Sequence, residues 1–190
     1  MQEAVPFGQG AMAAILGVAD DVIREICEQS AQGQVVSAVN YNSPGQVVIA
    51  GDAAAVERAM EGLKSAGAKR AMLLPVSAPF HTSLMRPAAD RLAETINTTG
   101  FSEPAIPVVH NVHARTESDP DVIRTLMIEQ IYSPVLWVDC VSFLVENRVD
   151  TVLECGPGKI LSGLTKRIDK SLTAYASEDT QSLETALSCI

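Results

Sequence analysis

Apolar and polar positions alternate regularly over residues 10–76. The segment "DDVIREICEQ" has the spacing of a helix with one apolar face, and Asp20 or Asp21 is its expected N-cap. Two β-rich runs, "QVVSAVNYN" and "GQVVIAGD", follow and meet at a turn over residues 42–45. Asp52 is the expected cap of a second helix, and "AKRAMLLPV" forms a further strand. The predicted order is therefore β-α-β-β-α-β, the split arrangement of a ferredoxin-like subdomain.

The pattern changes after residue 76, where a helix with Pro87 in its first turn is predicted. Its apolar residues recur every four positions: Leu84, Ala88, Leu92 and Ile96. The apolar run "IPVVHNV", residues 106–112, is typical of a parallel strand buried on both faces. Two helices, the strand "TVLECG", a third helix, the strand "LTAYAS" and a last helix from Glu178 follow. This alternation of strands and helices predicts a parallel α/β sheet.

The composition is that of a globular protein, with 47% hydrophobic and 19% charged residues in a chain of 190. A net charge of −9 without a Lys/Arg-rich run argues against binding to nucleic acid or to an anionic membrane. No apolar run approaches the ~18 residues that a membrane-spanning helix needs. We therefore expect a cytoplasmic protein with no membrane or nucleic-acid partner.

Four cysteines are scattered along the chain without a C-x-x-C pair: Cys27, Cys140, Cys155 and Cys189. Cys27 and Cys155 lie within apolar patterns. This arrangement favours reduced, mostly buried thiols over a disulfide framework or a zinc site.

The segment "GPGKIL" resembles the end of a phosphate-binding loop. A Walker motif, however, requires glycine and serine or threonine at the positions that Leu153 and Ile160 occupy. We therefore interpret residues 156–158 as a tight turn between a strand and a helix, one that leaves the helix N–H groups free.

Three histidines are candidates for chemistry. His110 and His113 lie three residues apart at the end of a predicted strand, so they are expected to point to opposite faces and to bind no metal. His81, in "PVSAPFHTSLMRP", lies just before a predicted helix, whose N-terminal dipole favours a neutral imidazole. Position alone leaves a general base and a helix-capping residue equally open. No G-x-S-x-G segment supplies a recognisable nucleophile.

Five segments of the sequence carry a resemblance to a known family: "MQEAVPFGQGAMAAILG", "VNYNSPGQVVIAGD", "AGAKRAMLLPVSAPFHTSLM", "EQIYSPVLW" and "ECGPGKILSGLTKRI". In order and spacing they resemble the C-terminal two thirds of bacterial malonyl-CoA:acyl carrier protein transacylases. The resemblance implies a ferredoxin-like subdomain, residues 10–76, inserted into an α/β-hydrolase-like parallel-sheet core. Residues 77–190 would form the C-terminal part of that core, and residues 1–9 a remnant of its preceding segment.

The resemblance also implies a mechanism without a cofactor or a metal. A serine in a G-H-S-L-G elbow takes the malonyl group from malonyl-CoA and passes it to the phosphopantetheine thiol of acyl carrier protein. His81 matches the histidine that activates this serine, and Gln130 matches the residue whose backbone carbonyl steadies the imidazole. Asn42 and Gln46 match positions near the acyl and pantetheine chain. Phe80 matches a position where phenylalanine selects malonyl, since its ring fills the room that an α-methyl group needs.

Three features of the family are absent from this sequence: an early G-Q-G-S-Q motif, the G-H-S-L-G elbow, and an arginine that pairs with the malonyl carboxylate. Their absence predicts a truncated or partial chain that holds the base without its nucleophile and is inactive in isolation. The alternative is a non-catalytic module that only docks acyl carrier protein or another subunit. A hydrolase with a serine elsewhere in the chain is a third hypothesis.

Overall fold

A computed structural model describes residues 1–76 and 78–189, which form an α/β structure. Its strands are β1 (Gly10–Leu16), β2 (Val36–Ser43), β3 (Gln46–Asp52), β4 (Arg70–Leu73), β5 (Val109–His110), β6 (Arg115–Thr116), β7 (Thr151–Glu154) and β8 (Thr173–Ala176). Its helices are α1 (Asp20–Ala31), α2 (Ala53–Ser65), α3 (Arg86–Thr98), α4 (Pro120–Glu129), α5 (Trp137–Glu146), α6 (Ile160–Ile168) and α7 (Thr180–Leu187). Position 77, where the predicted boundary between subdomains falls, lies outside the described residues.

The first four strands form an antiparallel sheet in the order β2-β3-β1-β4. The predicted β-α-β-β-α-β order is present over these elements. Alternate residues of β1 point to opposite faces. Ala13 and Ile15 belong to the core that packs under α1 and α2, with Ile23 of α1 and Leu63 of α2 fully buried in it. Met12 belongs to a second, smaller apolar cluster on the other face of the sheet.

The caps of α1 and α2 differ from the prediction. Asp20 and Asp21 lie in the first turn of α1, and Ala19 occupies the N-cap position without a side-chain hydrogen bond. Asp52 does precede α2, but its carboxylate accepts a hydrogen bond from the backbone N–H of Val35, at 2.7 Å, instead of capping the helix. Asp52 therefore fixes the start of β2 against the end of β3.

The part of the chain after β4 contains the predicted helices, and its strands β7 and β8 pair in parallel. The prediction of a buried parallel strand over residues 106–112 is wrong for the described residues. Only β5 forms there, and it pairs antiparallel with β6, a strand that the sequence pattern did not reveal. Ile106 and Val108 are 76% and 50% exposed, because no described strand covers them.

The loop between α4 and α5 forms backbone hydrogen bonds with strand β2 of the antiparallel sheet. The N–H of Tyr41 donates to the carbonyl of Val135 at 3.0 Å, and the N–H of Val135 donates to the carbonyl of Val39 at 2.8 Å. Asn40 and Val135 thus form a short parallel bridge at the edge of β2. This bridge brings the C-terminal end of α4 beside the antiparallel sheet.

All four cysteines are free thiols. Cys27 and Cys140 are buried, whereas Cys155 and Cys189 are exposed, so the prediction of mostly buried thiols holds for two of the four and not for Cys155, despite its apolar sequence pattern. Burial raises the pKa of Cys27 to about 12 and that of Cys140 to about 11. Among residues 1–76 and 78–189, no helix is both long and apolar enough to cross a membrane.

Candidate active site

His81 lies in a tight turn between β4 and α3. Its backbone adopts the left-handed region with a φ of 63°, which is uncommon for a residue with a side chain. On either side of it, Pro79 and Thr82 are almost completely buried, and the hydroxyl of Thr82 donates to the carbonyl of Pro79 at 2.7 Å. The ring of His81 is itself only half-buried. The His81 side chain therefore projects from a turn whose flanking residues are buried and joined by a hydrogen bond.

The backbone carbonyl of Gln130 lies 3.0 Å from Nδ1 of His81. Since a carbonyl oxygen can only accept, Nδ1 carries the proton in this hydrogen bond, and Nε2 of the neutral ring keeps a lone pair. The structure thus brings His81 and Gln130 together. Such a ring can accept a proton at Nε2 while Nδ1 remains anchored.

Helix α4 presents this carbonyl because Gln130 follows its last residue. The carboxylate of Asp119 caps the N-terminus of α4 by accepting from the N–H of Asp121 at 2.8 Å. At the other end, the N–H of Gln130 donates to the carbonyl of Leu126 at 2.9 Å, while its own carbonyl has no partner within the helix. From the sequence, the N-terminal dipole of the following helix is expected to favour the neutral form of the His81 imidazole. The structure instead places a 3₁₀ turn before α3 and joins the imidazole to the C-terminal end of α4.

An open pocket of about 490 Å³ adjoins His81 and Gln130. Its remaining lining residues are Met1, Met12, Asn40, Phe80 and Ile131. Met12 and Asn40 were missed from the sequence, although the period-2 alternation of β1 places Met12 on the face away from the helices. None of the described residues that line this pocket is a serine or a cysteine.

Phe80 packs between this pocket and the sheet. Its half-buried ring contacts the second apolar cluster, which consists of Met12, Val39, Val48 and Ala50. The ring therefore forms a wall of the pocket next to His81.

Asn42 and Gln46 do not line the His81 pocket. Gln46 pairs with Leu16, four residues along β1 from Met12, which is about 13 Å at strand spacing. There its side-chain oxygen accepts from the guanidinium of Arg167 at 2.8 Å, and Asn42 lies half-buried at the end of β2. Both residues thus lie outside the lining of the His81 pocket, and Asn42 is two residues along β2 from Asn40, which does line it.

His110 and His113 do not point to opposite faces, so that prediction is wrong. Their rings meet edge to face with centroids 5.9 Å apart. The strand ends at His110, and a turn with Ala114 at a φ of 55° folds His113 back. Burial, followed by the neighbouring His113, lowers the pKa of His110. No group of three metal-ligating side chains occurs within the described parts of the chain.

The "GPGKIL" turn is also different from the prediction, because the first N–H groups of α6 are not free. The carboxylate of Glu154, at the end of β7, accepts from the N–H of Leu161 at 3.1 Å and from the N–H of Ser162 at 2.7 Å. It also accepts from the Ser162 hydroxyl at 2.8 Å. A side chain of the protein thus occupies the place that a phosphate would take in a phosphate-binding loop.

Comparison with known proteins matches residues 1–182 to the acyl transferase domain. The chain is 54% identical over 187 residues to the malonyl CoA-acyl carrier protein transacylase of Salmonella typhimurium. It is 42% identical over 188 residues to that of Bacillus subtilis. These alignments cover 98% of this chain and 60% and 59% of the relatives, so the chain spans about 60% of the length of the curated relatives it matches.

The solved structures that match this chain are of the same kind of protein as these relatives. The acyl carrier protein S-malonyltransferase of Vibrio cholerae has a TM-score of 0.96 and 54% identity, over 97% of this chain and 60% of that one. A malonyl-transacylase solved in complex with a type II PKS acyl-carrier protein has a TM-score of 0.97 and 51% identity. That match covers 100% of this chain and 61% of the other.

Proposed function

The chain belongs to the acyl transferase domain family, and from this premise we propose that it supplies the histidine base for malonyl transfer. The reaction would move a malonyl group from malonyl-CoA to the phosphopantetheine thiol of acyl carrier protein, without a cofactor or a metal. The similar proteins support this substrate pair, because they are malonyl CoA-acyl carrier protein transacylases and one was solved with an acyl-carrier protein.

The hydrogen bond between Nδ1 of His81 and the carbonyl of Gln130 carries the proposal. In this role Nε2 takes the proton of a nucleophilic hydroxyl during acylation and returns it to the leaving thiolate of coenzyme A. The positive charge that forms on the imidazole meanwhile lies beside the Gln130 carbonyl, which would stabilise it. The malonyl group then passes to the incoming phosphopantetheine thiol by the reverse sequence.

Phe80 would select malonyl over methylmalonyl. The ring packs on the sheet beside His81 and lines the pocket, where it would limit the room for an α-methyl group. One additional methyl group in a tight apolar pocket changes selectivity by about 10- to 200-fold. Gln46, about 13 Å along the sheet from Met12, and Asn42, two residues along β2 from Asn40, would contact the pantetheine chain, which must extend away from the reacting thioester.

The nucleophile is not among the described residues that line the His81 pocket. We therefore propose that it comes from a polypeptide segment corresponding to the 40% of the relatives that this chain does not cover, and that the 190 residues alone transfer malonyl slowly or not at all. A covalent route needs both the base and the nucleophile, so the loss of either removes most of the rate.

We also propose that residues 10–76 form a ferredoxin-like subdomain and that residues 77–190 form part of an α/β-hydrolase-like core, preceded by a core remnant at 1–9. The strand order β2-β3-β1-β4, with both helices on one face, supports the first assignment. The parallel pairing of β7 with β8 supports the second.

A transfer assay tests the proposed function. The purified chain is incubated with malonyl-CoA and holo acyl carrier protein, alone and with the polypeptide that corresponds to the uncovered part of the relatives. We expect transfer only in the mixture, and slower transfer from methylmalonyl-CoA. Phe80→Ser should reduce that difference. Transfer at an ordinary enzyme rate by the chain alone would refute the proposal, and carrier binding without transfer in the mixture would favour the docking module.

A further inference from the structure

Two hydrogen bonds fix the candidate base, and only one of them involves its ring. We infer that Thr82 is a positioning residue that holds His81 in its left-handed backbone conformation and thereby keeps the imidazole on the Gln130 carbonyl. This inference rests on the proposed function of His81 as the base. It adds a residue whose side chain does not line the His81 pocket and whose hydroxyl donates to the backbone of the turn.

The Thr82 hydroxyl joins the two ends of the turn that carries both Phe80 and His81. It donates to the carbonyl of Pro79 at 2.7 Å, and it is the one hydrogen bond between described residues that links positions 79 and 82. Thr82 is 2% exposed, and Met85, whose N–H donates to the Thr82 carbonyl at 3.0 Å, is fully buried. The hydroxyl therefore acts from inside the protein, where water cannot replace it.

The conformation of His81 needs such a tie. A residue with a side chain at a φ of 63° is strained relative to ordinary backbone, and surrounding contacts must hold it there. Within the turn, the N–H of Phe80 donates to the carbonyl of Ala78 at 3.0 Å, which orders only the first half. Without the Thr82 tie, His81 can relax to a negative φ, and this rotation carries the ring away from the Gln130 carbonyl.

The tautomer of His81 reports this positioning directly. The hydrogen bond to Gln130 requires the Nδ1–H form, whereas an unconstrained neutral histidine exchanges between both forms. Long-range ¹H–¹⁵N correlation spectra of the ¹⁵N-histidine-labelled chain, under alkaline conditions, distinguish the two. We expect Nδ1–H in the wild type and in Thr82→Ser, and a shift towards the unconstrained mixture in Thr82→Val. Thr165→Val removes the hydroxyl of a buried threonine in α6 and should leave the His81 signal unchanged.

A double-mutant cycle that combines Thr82→Val with His81→Gly, called the stability cycle below, tests the inference even if Thr82→Val is much less stable than the wild type. Once the tie is lost, His81 can relieve its strain by relaxing, whereas glycine adopts positive φ without strain and has none to relieve, so Thr82→Val should lower the urea midpoint more in a His81→Gly background than in the wild type. Equal losses in both backgrounds, or a smaller loss in the His81→Gly background, would contradict a role in holding His81. An unchanged Nδ1–H tautomer in folded Thr82→Val would overturn the inference as well.

In the assembled transfer assay, Thr82→Val should lower kcat on the order of 10- to 100-fold with little change in KM, and Thr82→Ser should restore it. The tautomer and the stability cycle do not depend on activity. If they behave as expected but His81 proves unnecessary for transfer, the proposed function fails while the positioning of His81 stands.

Discussion

Replacing Glu154 with glutamine should destabilise the chain because it weakens the connection between β7 and α6. The wild-type carboxylate accepts three hydrogen bonds, from two backbone N–H groups at 2.7 and 3.1 Å and from the Ser162 hydroxyl at 2.8 Å. Glutamine keeps one acceptor oxygen but loses the negative charge beside the N-terminus of α6. A charge or cap at such a partly exposed helix end contributes ~1 kcal/mol. For a chain of this size, that corresponds to a decrease in Tm of about 2–4 °C.

The pH dependence provides a second signature of the same contact. Burial raises the pKa of Glu154, but the hydrogen bonds from Ser162 and Leu161 outweigh it and hold the pKa below its usual value. A carboxyl group whose pKa is lower in the folded state stabilises the protein above the pKa it has when unfolded, ~4.3. That contribution disappears as the pH falls through the folded-state value. The difference between wild type and Glu154→Gln should therefore be constant near neutral pH and shrink below about pH 4.

Thermal unfolding followed by circular dichroism, from neutral to acidic pH, measures both effects. Glu184→Gln, in an exposed part of α7, is the matched control and should change stability by less than ~0.5 kcal/mol. A Glu154→Gln variant as stable as wild type at neutral pH, or a difference that grows on acidification, would refute the assigned role of this carboxylate.

Three further predictions concern the remaining structure. At mildly alkaline pH a thiol reagent should label the exposed Cys155 and Cys189 rapidly. Cys27 and Cys140 are buried, with pKa values raised to about 12 and 11, and should react only on unfolding. Equally fast labelling of all four thiols would contradict this prediction. Gly51→Ala should lower the free energy of unfolding by at least ~3 kcal/mol or prevent folding, because the added Cβ would lie 2.0 Å from the carbonyl oxygen of Val35. A variant with the urea midpoint of the wild type would exclude that packing. Asp119→Ala should cost ~1 kcal/mol through the N-cap of α4, measured by the same denaturation, and no loss would argue against the cap.

Strong periodicity made most elements predictable. The apolar spacing of α1 and α2 and the alternation along β1 and β3 reflect burial against one local core, which contains Ile23 and Leu63. The start of α3 was also predictable, because Pro87 fits only the first turn of a helix.

Features set by distant contacts were not predictable in the same way. The run over residues 106–112 has the composition of a buried strand, but strand formation requires a partner, and only β6 is present among the described residues. His81 and Gln130 are 49 positions apart, and their contact depends on the bridge between Asn40 and Val135. Here the resemblance to a family pointed to the pair, whereas periodicity could not.

The requirement for His81 in malonyl transfer tests the central claim most directly. Initial rates of malonyl transfer to holo acyl carrier protein are measured for the chain mixed with the polypeptide that corresponds to the uncovered part of its relatives. His81→Ala should lower the rate on the order of 10²- to 10⁴-fold, the usual contribution of a general base. His113→Ala, which removes a histidine outside the pocket, should not. Equal rates for wild type and His81→Ala would contradict the account.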